Sequence, residues 1–258
     1  NPVAHSKSPW IHAAFARQTR QALEYLPIEA PLGGFARAVD EFRAAGGRGA
    51  NVTLPFKDQA CVYCHGALSA RALTAQAVNT LIFDDAGVRG DNTDGVGLLR
   101  DITVNLGRAI AGQRVLLMGA GGAAQGVLGP LLGAGPQRLV IANRTADKAH
   151  ALARRFGVAA GGGYEELGGA QFDLLVNATS AGLADEAPPL PPGVFAPGAL
   201  GYDMVYGRDT PFLAMARAAG AAACDGSGML VEQAAESFLL WRGLRPDTAP
   251  VLAALRGR

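Results

Sequence analysis

The chain has 258 residues, 49% of them apolar and only 17% charged; at roughly 150 residues per domain this makes one large or two modest domains and excludes a disordered polyelectrolyte. Lys and Arg number 23 against 22 Asp and Glu, a net charge of +1, which excludes the basic excess that draws proteins to nucleic acid or anionic lipid. Three cysteines, in a chain too long to need disulfide staples, point to the cytoplasm.

In chain order, a helix is expected from Ser8 to Arg20, with Ser8 as its N-cap and Pro9 in its first turn, followed by the apolar run Leu23–Ile28. An amphipathic helix over Phe35–Ala45, a strand at Ala50–Leu54, a helical stretch to about Ala75 and strands at Thr80–Phe83 and Val88–Gly90 complete a first block. A second block alternates strands at Val115–Met118, Leu139–Ala142, Leu174–Asn177, Leu200–Met204 and Ala221–Cys224 with helices or loops. Alternation of this kind is the pattern of α/β units with mainly parallel sheets. The Pro-rich residues 187–199 read as a rigid surface loop, and Met229–Trp241 as a helix stopped by Gly243 and Pro246. The chain opens on Asn1 with no signal peptide, so some N-terminal residues are expected to precede it.

Two features invite other readings. Cys61 and Cys64 have the CxxC spacing of redox, zinc or haem motifs and His65 follows, but no second pair completes a metal site, and a surface helix accounts for them. Residues 115–137 are uncharged and long enough to span a bilayer. Their seven glycines and two prolines fit a buried strand turning sharply into a helix instead.

That turn carries the sharper signal. After Val115–Met118 comes Gly119-Ala120-Gly121-Gly122-Ala123-Ala124, a G-x-G-x-x-A match between strand and helix, where a dinucleotide fingerprint must sit. Gly119 permits the tight turn, Gly121 leaves room for a pyrophosphate and Ala124 brings the helix close to the sheet, while the helix N-terminus supplies N–H donors. The next strand ends in Asn143-Arg144-Thr145 rather than in the carboxylate that binds the adenosine ribose of NAD. Arg144 is placed for adenine or a 2′-phosphate, and Thr145 and Lys148 add donors, so NADP is favoured over NAD.

In the first block, polar residues cluster at element ends: His5-Ser6-Lys7-Ser8-Pro9, Asn51-Val-Thr53-Leu-Pro55-Phe-Lys57, Ala77-Val-Asn79-Thr80 and Gly90-Asp-Asn92-Thr93-Asp94-Gly95. Each alone is an ordinary cap or turn. Together with GAGGAAQGV, NRT, NATSAG, YDMVY and GMLVEQAA, in order along nearly the whole chain, they resemble the shikimate dehydrogenase family.

The resemblance implies NADP-dependent interconversion of 3-dehydroshikimate and shikimate, a step of aromatic amino-acid biosynthesis. It implies an α/β protein with an N-terminal α/β substrate-binding domain, residues 1–96 with the helices of 229–258 packed back onto it. A Rossmann-like NADP-binding domain would span 97–228, with the active site in the cleft between the two. By carry-over of motifs, Ser6 and Ser8 would hold the substrate carboxylate with Tyr206, and Thr53, Asn79, Asp94 and Gln233 its ring hydroxyls. Lys57 and Asp94 would be the catalytic pair, Lys57 as acid/base and Asp94 orienting it, because the developing alkoxide needs both charge stabilisation and a proton. Gly119 to Ala123, Asn143, Arg144, Thr145 and Lys148 would hold NADP. Asn177, Thr179 and Ser180 would line its crevice, with Met204 and Gly226 against the nicotinamide. A monomer or homodimer, no metal, no nucleic-acid partner and no membrane are expected. Gln76 stands where the family commonly has Gly, the region of Ser69 lacks a common acidic residue, and the family's first strand does not precede Asn1 in this sequence. Two alternatives stay open: a quinate or quinate/shikimate dehydrogenase, and a non-catalytic NADP-binding regulator.

Overall fold

Ser8-Pro9 starts the first helix one residue earlier than the sequence suggests. In the computed structural model, which describes residue 3, residues 6–179 and residues 185–257, helix α1 spans Ser8–Thr19 and Lys7 occupies the N-cap position without a side-chain cap. The exposed N–H of Ser8 is met by the Ser6 hydroxyl at 3.2 Å, so Ser6, not Ser8, supplies the cap. The helix ends at Arg20 in the left-handed region, φ 55°.

The chain forms two compact units, residues 1–97 with 230–258, and residues 98–229. In the first, helices α2 (Phe35–Ala44), α3 (Lys57–Tyr63) and α4 (Ala70–Ala75) surround strands β1 (Gly49–Asn51), β2 (Thr80–Asp84) and β3 (Gly87–Asp91). The sheet runs β1-β2-β3 and is antiparallel throughout, a correction to the parallel sheet expected here. The cause is local: Asp85-Ala86 turns β2 straight back into β3, and the Ala86 N–H is held by the Asp84 carboxylate. β1 stops at Asn51 because the chain turns at Thr53, whose carbonyl accepts from Phe56 N–H. The run Leu23–Ile28 joins no ladder, leaving Leu26 and Ile28 exposed.

The antiparallel order places the ends of β1 and β3 beside the start of β2, with Asn51 opposite Thr80 and Thr80 opposite Asp91. The three polar clusters therefore emerge at one edge of the sheet. Phe35, Val39, Phe56, Ala60, Leu81 and Phe83 fill the core under α2 and α3. A second core joins Ile11 and Phe15 of α1 to Val231, Ala235 and Phe238 of helix α9 (Ser227–Arg242) and Val251 and Leu252 of α10 (Ala249–Arg256). Gly49 lets α9 approach β1: a Cβ there would collide with the Trp241 ring, whose indole N–H donates to Leu81 carbonyl at 2.9 Å.

The second unit is a six-stranded parallel sheet in the order β6-β5-β4-β7-β8-β9. Its strands are β4 (Arg114–Met118), β5 (Arg138–Ala142), β6 (Ala160–Gly162), β7 (Phe172–Asn177), β8 (Phe195–Asp203) and β9 (Ala222–Cys224). Helix α5 (Asp94–Arg100), continued as a π-helical turn over Asp101–Asn105, enters this unit. Helices α6 (Gly122–Gly133), α7 (Ala146–Phe156) and α8 (Pro211–Ala218) flank the sheet. Alternate residues face opposite cores: Val115, Leu117, Ile141 and Val176 pack with α6 and α7, and Leu116, Met118, Val140 and Leu175 with Phe212 and Leu213 of α8. Burial on both faces, worth about 1.5–3 kcal/mol per large apolar side chain, is why these strands read as unbroken apolar runs. Residues 115–137 are thus β4 and α6, and no described helix is long and apolar enough to cross a membrane.

Two expectations for this unit are corrected. The Pro-rich 187–199 loop becomes strand at Phe195, with Val194, Ala196 and Ala199 buried. Pro197, which cannot donate to a ladder, falls in a register break between the Phe172–Phe195 and Leu174–Leu200 pairs. β6 went unread because Ala160-Gly161-Gly162 has no β-branched or aromatic signal; Gly161 is needed there because it lies against the Ala149 carbonyl.

Candidate active site

At the sheet edge of the first unit, Lys57 opens α3 and Asp94 opens α5. Lys57 Nζ donates to Asp94 Oδ2 at 2.5 Å, with the two side chains 12% and 9% exposed. The other carboxylate oxygen of Asp94 accepts from Asn79 Nδ2 at 2.8 Å. Asn79 Oδ1 in turn accepts from the backbone N–H of Thr93 and from the Thr80 hydroxyl, both at 2.8 Å, which fixes the orientation of its amide. Gln233 of α9 reaches the same cluster, its Oε1 lying 3.3 Å from Thr93 Oγ1 and 3.4 Å from Asn79 Nδ2. The backbone completes the link, since Val78 N–H donates to the Lys57 carbonyl and Val52 N–H to the Asn79 carbonyl. One ammonium, one carboxylate and four amide or hydroxyl groups thus converge from four segments, a set suited to a small polyhydroxylated molecule and to moving a proton.

Ser8 approaches through a relay. Burial raises the Tyr25 phenol and the Ser8 side chain pulls it back; Tyr25 Oη donates to Asn51 Oδ1 at 2.9 Å, and Asn51 Nδ2 donates to Thr80 Oγ1, Ser237 Oγ and the Asn79 carbonyl. Ser6 lies at the start of α1 with its oxygen on Ser8 N–H. Thr53 is exposed on the turn after β1. Tyr206 belongs to the other unit, just after β8. Sequence reading missed Tyr25, Asn51, Thr80 and Ser237. Asn51 heads the NVTLPFK motif and could have been found there, whereas a lone Tyr in an apolar run gives no signal.

In the second unit, the strand order reverses between β4 and β7, the position where doubly wound sheets bind ligands beyond the strand ends. Gly119 has φ +111°, and a Cβ there would lie 3.0 Å from the Ala178 carbonyl oxygen, so the turn needs glycine. Gly121 is different: it caps α6 with an ordinary φ of −85°, and a Cβ would meet nothing among the described residues. No contact with the described residues requires glycine at this helix N-terminus, whereas close approach of a pyrophosphate would. Ala120 and Ala123 pack partly buried against the core, and Gly122 begins the helix. Past β5, Asn143 Nδ2 folds back on the Thr145 carbonyl at 2.9 Å and leaves Arg144, Thr145 and Lys148 exposed. The loop has no carboxylate before Asp147 in the first turn of α7. Arg144 acts electrostatically on Tyr164, whose phenol burial pushes up to about 12 against the pull of that guanidinium. Glycine, helix end and cations together fit a phosphorylated dinucleotide.

Asn177 is buried and occupied: its Nδ2 donates to Asp203, while its Oδ1 accepts from Thr179 N–H and hydroxyl. It shapes the crevice loop. Gly226 N–H bonds the Val205 carbonyl, and a Cβ on Gly226 would strike the Met204 carbonyl, so these two backbone segments touch. Ser180 lies outside the described residues. The CxxC cysteines are free, Cys61 on α3 and Cys64 just beyond it, and burial raises both thiols, Cys64 to about 11, which leaves them poor nucleophiles.

Comparison with known proteins places this geometry. Residues 1–81 match the family model of the shikimate dehydrogenase substrate binding domain, 102–183 that of shikimate / quinate 5-dehydrogenase and 226–256 that of the shikimate 5'-dehydrogenase C-terminal domain. The chain is 60% identical to the shikimate dehydrogenase (NADP(+)) of Dechloromonas aromatica (strain RCB), over 100% of this chain and 96% of that one. Among solved structures, the Ael1 enzyme from Pseudomonas putida superposes with a TM-score of 0.93 at 48% identity, covering 99% of this chain and 95% of that one. Shikimate 5-dehydrogenase from Thermus thermophilus, in complex with NADP(H) and shikimate, gives 0.89 at 36% identity, covering 100% and 96%. By sequence over its full length and by fold, the chain belongs to the family of NADP(+)-dependent shikimate dehydrogenases.

Proposed function

We propose that the first unit binds the substrate, the second binds NADP(H), and Lys57 and Asp94 carry the proton transfer in the reversible reduction of 3-dehydroshikimate to shikimate. The observation that carries this reading is the largely buried Lys57–Asp94 pair with Asn79 on the free carboxylate oxygen. Bound NADPH supplies the hydride. The chain supplies the rest. The Lys57 ammonium lies beside the carbonyl oxygen, stabilises the negative charge that develops there, and hands over one proton as the C–OH forms; the neutral amine then regains a proton from solvent. In the oxidative direction the same amine accepts the hydroxyl proton. Asp94 holds Nζ in place and with Asn79 and Gln233 takes the ring hydroxyls, which Ser6 and Ser8 complement at the carboxylate. Gly119 to Ala123 would cradle the pyrophosphate, and Arg144, Thr145 and Lys148 the 2′-phosphate. The three cysteines are free, and we place the protein in the cytoplasm.

The test follows nicotinamide absorbance with shikimate and with quinate, each against NADP⁺ and NAD⁺. Shikimate with NADP⁺ should be the preferred pair. Quinate belongs in the assay because one matching family model covers both substrates, and faster turnover of quinate would overturn the substrate assignment. Lys57→Met should lower turnover by roughly 10²- to 10⁴-fold with both ligands still bound. Near wild-type turnover in that variant would remove Lys57 from the mechanism.

A further inference from the structure

One charged network lies beside the site, and its side chains bond none of the side chains assigned to substrate. Arg71, the second residue of α4, forks onto Asp91 at the end of β3: Nε meets Oδ1 at 2.6 Å and Nη2 meets Oδ2 at 3.0 Å. Its remaining nitrogen, Nη1, donates to Glu236 Oε1 on α9 at 2.9 Å, and the other Glu236 oxygen is taken by Arg245. Asp91 and Glu236 are 8% and 10% exposed, so this is not a solvated surface pair. A planar guanidinium with three nitrogens committed in fixed directions sets the relative position of the three segments it joins.

Those segments carry the site. Asp91 is tied forward to Asp94: its Oδ1 accepts from Asn92 N–H at 2.7 Å, and the Asn92 side chain bridges the Ala77 carbonyl (3.0 Å) to Asp94 N–H (3.1 Å). The Asp91 carbonyl also accepts from Asn79 N–H. Glu236 sits one helical turn beyond Gln233, whose amide oxygen meets Asn79 and Thr93. Ser69, which caps α4 by accepting from Ala72 N–H, donates its hydroxyl to Asp91 at 2.5 Å and steadies the same carboxylate. We infer that Arg71 is a positioning residue for the reaction, holding Asp94, Asn79 and Gln233 in register by clamping Asp91 and Glu236. The inference rests on Lys57 and Asp94 being the catalytic pair.

Arg71→Met, Arg71→Lys and Lys57→Met test it together on the full-length protein, with kcat, shikimate KM, NADP⁺ dissociation constant, pH–rate profile and melting temperature measured for each. A displacement of about 1 Å at a catalytic group costs on the order of a hundredfold. Arg71→Met should therefore lose roughly ten- to a hundredfold in kcat and raise KM several-fold, leaving NADP⁺ affinity within about twofold because that site lies in the other unit. Arg71→Lys keeps the charge but not the fork, so it should recover melting temperature without recovering kcat, and its pH–rate midpoint should move. If Arg71→Met fails to fold, Arg71→Lys alone decides. A lowered melting temperature with unchanged kcat, KM and pH profile in the folded enzyme would overturn the proposal, leaving Arg71 as a plain structural ion pair. Lys57→Met separates the two ideas: normal turnover there sinks the catalytic pair, whereas its loss beside fully active Arg71 variants sinks only the positioning role.

Discussion

Lowering the pH from 7 to 5 should cost this protein about 2 kcal/mol of folding stability through one side chain, His12. The imidazole is fully buried in α1, stacked on Tyr25 with centroids 4.3 Å apart and planes 4° from parallel, and enclosed by Phe15, Phe238 and Trp241. Among the described residues neither ring nitrogen has a partner within hydrogen-bond geometry, the Asn51 side chain being its nearest polar neighbour in effect. Burial lowers its pKa from 6.5 to about 3, and the nearby Asn51 side chain offsets only part of that. A folded-state pKa below the unfolded one means that the unfolded chain takes up a proton first. Stability is therefore full above pH 6.5 and falls as the pH drops towards 3, in total by about 5 kcal/mol at 1.36 kcal/mol per pH unit. Asp84 and Asp173, whose carboxyls arginine partners hold below the usual 3.8, lose their contribution only below that value, outside the pH 7 to 5 window. Urea unfolding at pH 7, 6 and 5, with His12→Phe as the control that keeps an aromatic ring on Tyr25, isolates the effect. The wild type should lose about 2 kcal/mol more than the variant between pH 7 and 5. Equal losses would refute a neutral, unpartnered His12.

Three further outcomes are expected. Arg144→Ala should weaken NADP⁺ binding by roughly 1.5–3 kcal/mol, as for a lost charge-assisted bond, and leave NAD⁺ nearly unaffected in titration calorimetry; equal losses would assign Arg144 to adenine. Ser6→Ala and Ser8→Ala should both raise shikimate KM, and Ser6→Ala should in addition cost about 1 kcal/mol of stability with the α1 cap, a larger loss than for Ser8→Ala; the reverse order of melting temperatures would return the cap to Ser8. Gln76 ends α4 at φ 53°, ψ 33°, a conformation costing a side-chain-bearing residue about 1–2 kcal/mol, so Gln76→Gly should gain about 0.5–1 kcal/mol net of chain entropy. A lower melting temperature for Gln76→Gly would show that the contacts of Gln76 outweigh that strain.

What could be read before the structure depended on whether a signal was local. β4, β5 and β7 are buried on both faces and announce themselves as apolar runs, and the glycine turn after β4 fixes the topology around it. β6, three small residues at a sheet edge, carries no such mark. The antiparallel order of the first sheet hinges on the two-residue turn Asp85-Ala86, marked only by Gly87, which closes it opposite Asp84. Lys57, Asn79 and Asp94 stood out as polar residues at element ends, and Gln233, inside α9, through the motif GMLVEQAA that carries the family resemblance. The residues around them did not, because their partners are remote in sequence: Arg71 meets Glu236 165 residues on, and Tyr25 meets Asn51 26 residues on. Ser8-Pro9 looked like a complete cap signal, yet the acceptor is Ser6, since the helix admits Ser8 itself.

The discontinuity of the first unit has a consequence for synthesis on the ribosome. The second unit is one unbroken stretch, residues 98–229, and every strand of its sheet is available once that stretch has emerged. Part of the first unit must wait. Ile11 and Phe15 are translated early but find their core partners only when Val231, Phe238 and Leu252 appear, and Gln233 and Glu236 arrive in that same late segment. At roughly 5–20 residues per second, the interval between residues 15 and 231 lasts on the order of 10–40 s. During it the apolar face of α1 is a target for holding chaperones, while the cofactor-binding unit is free to fold.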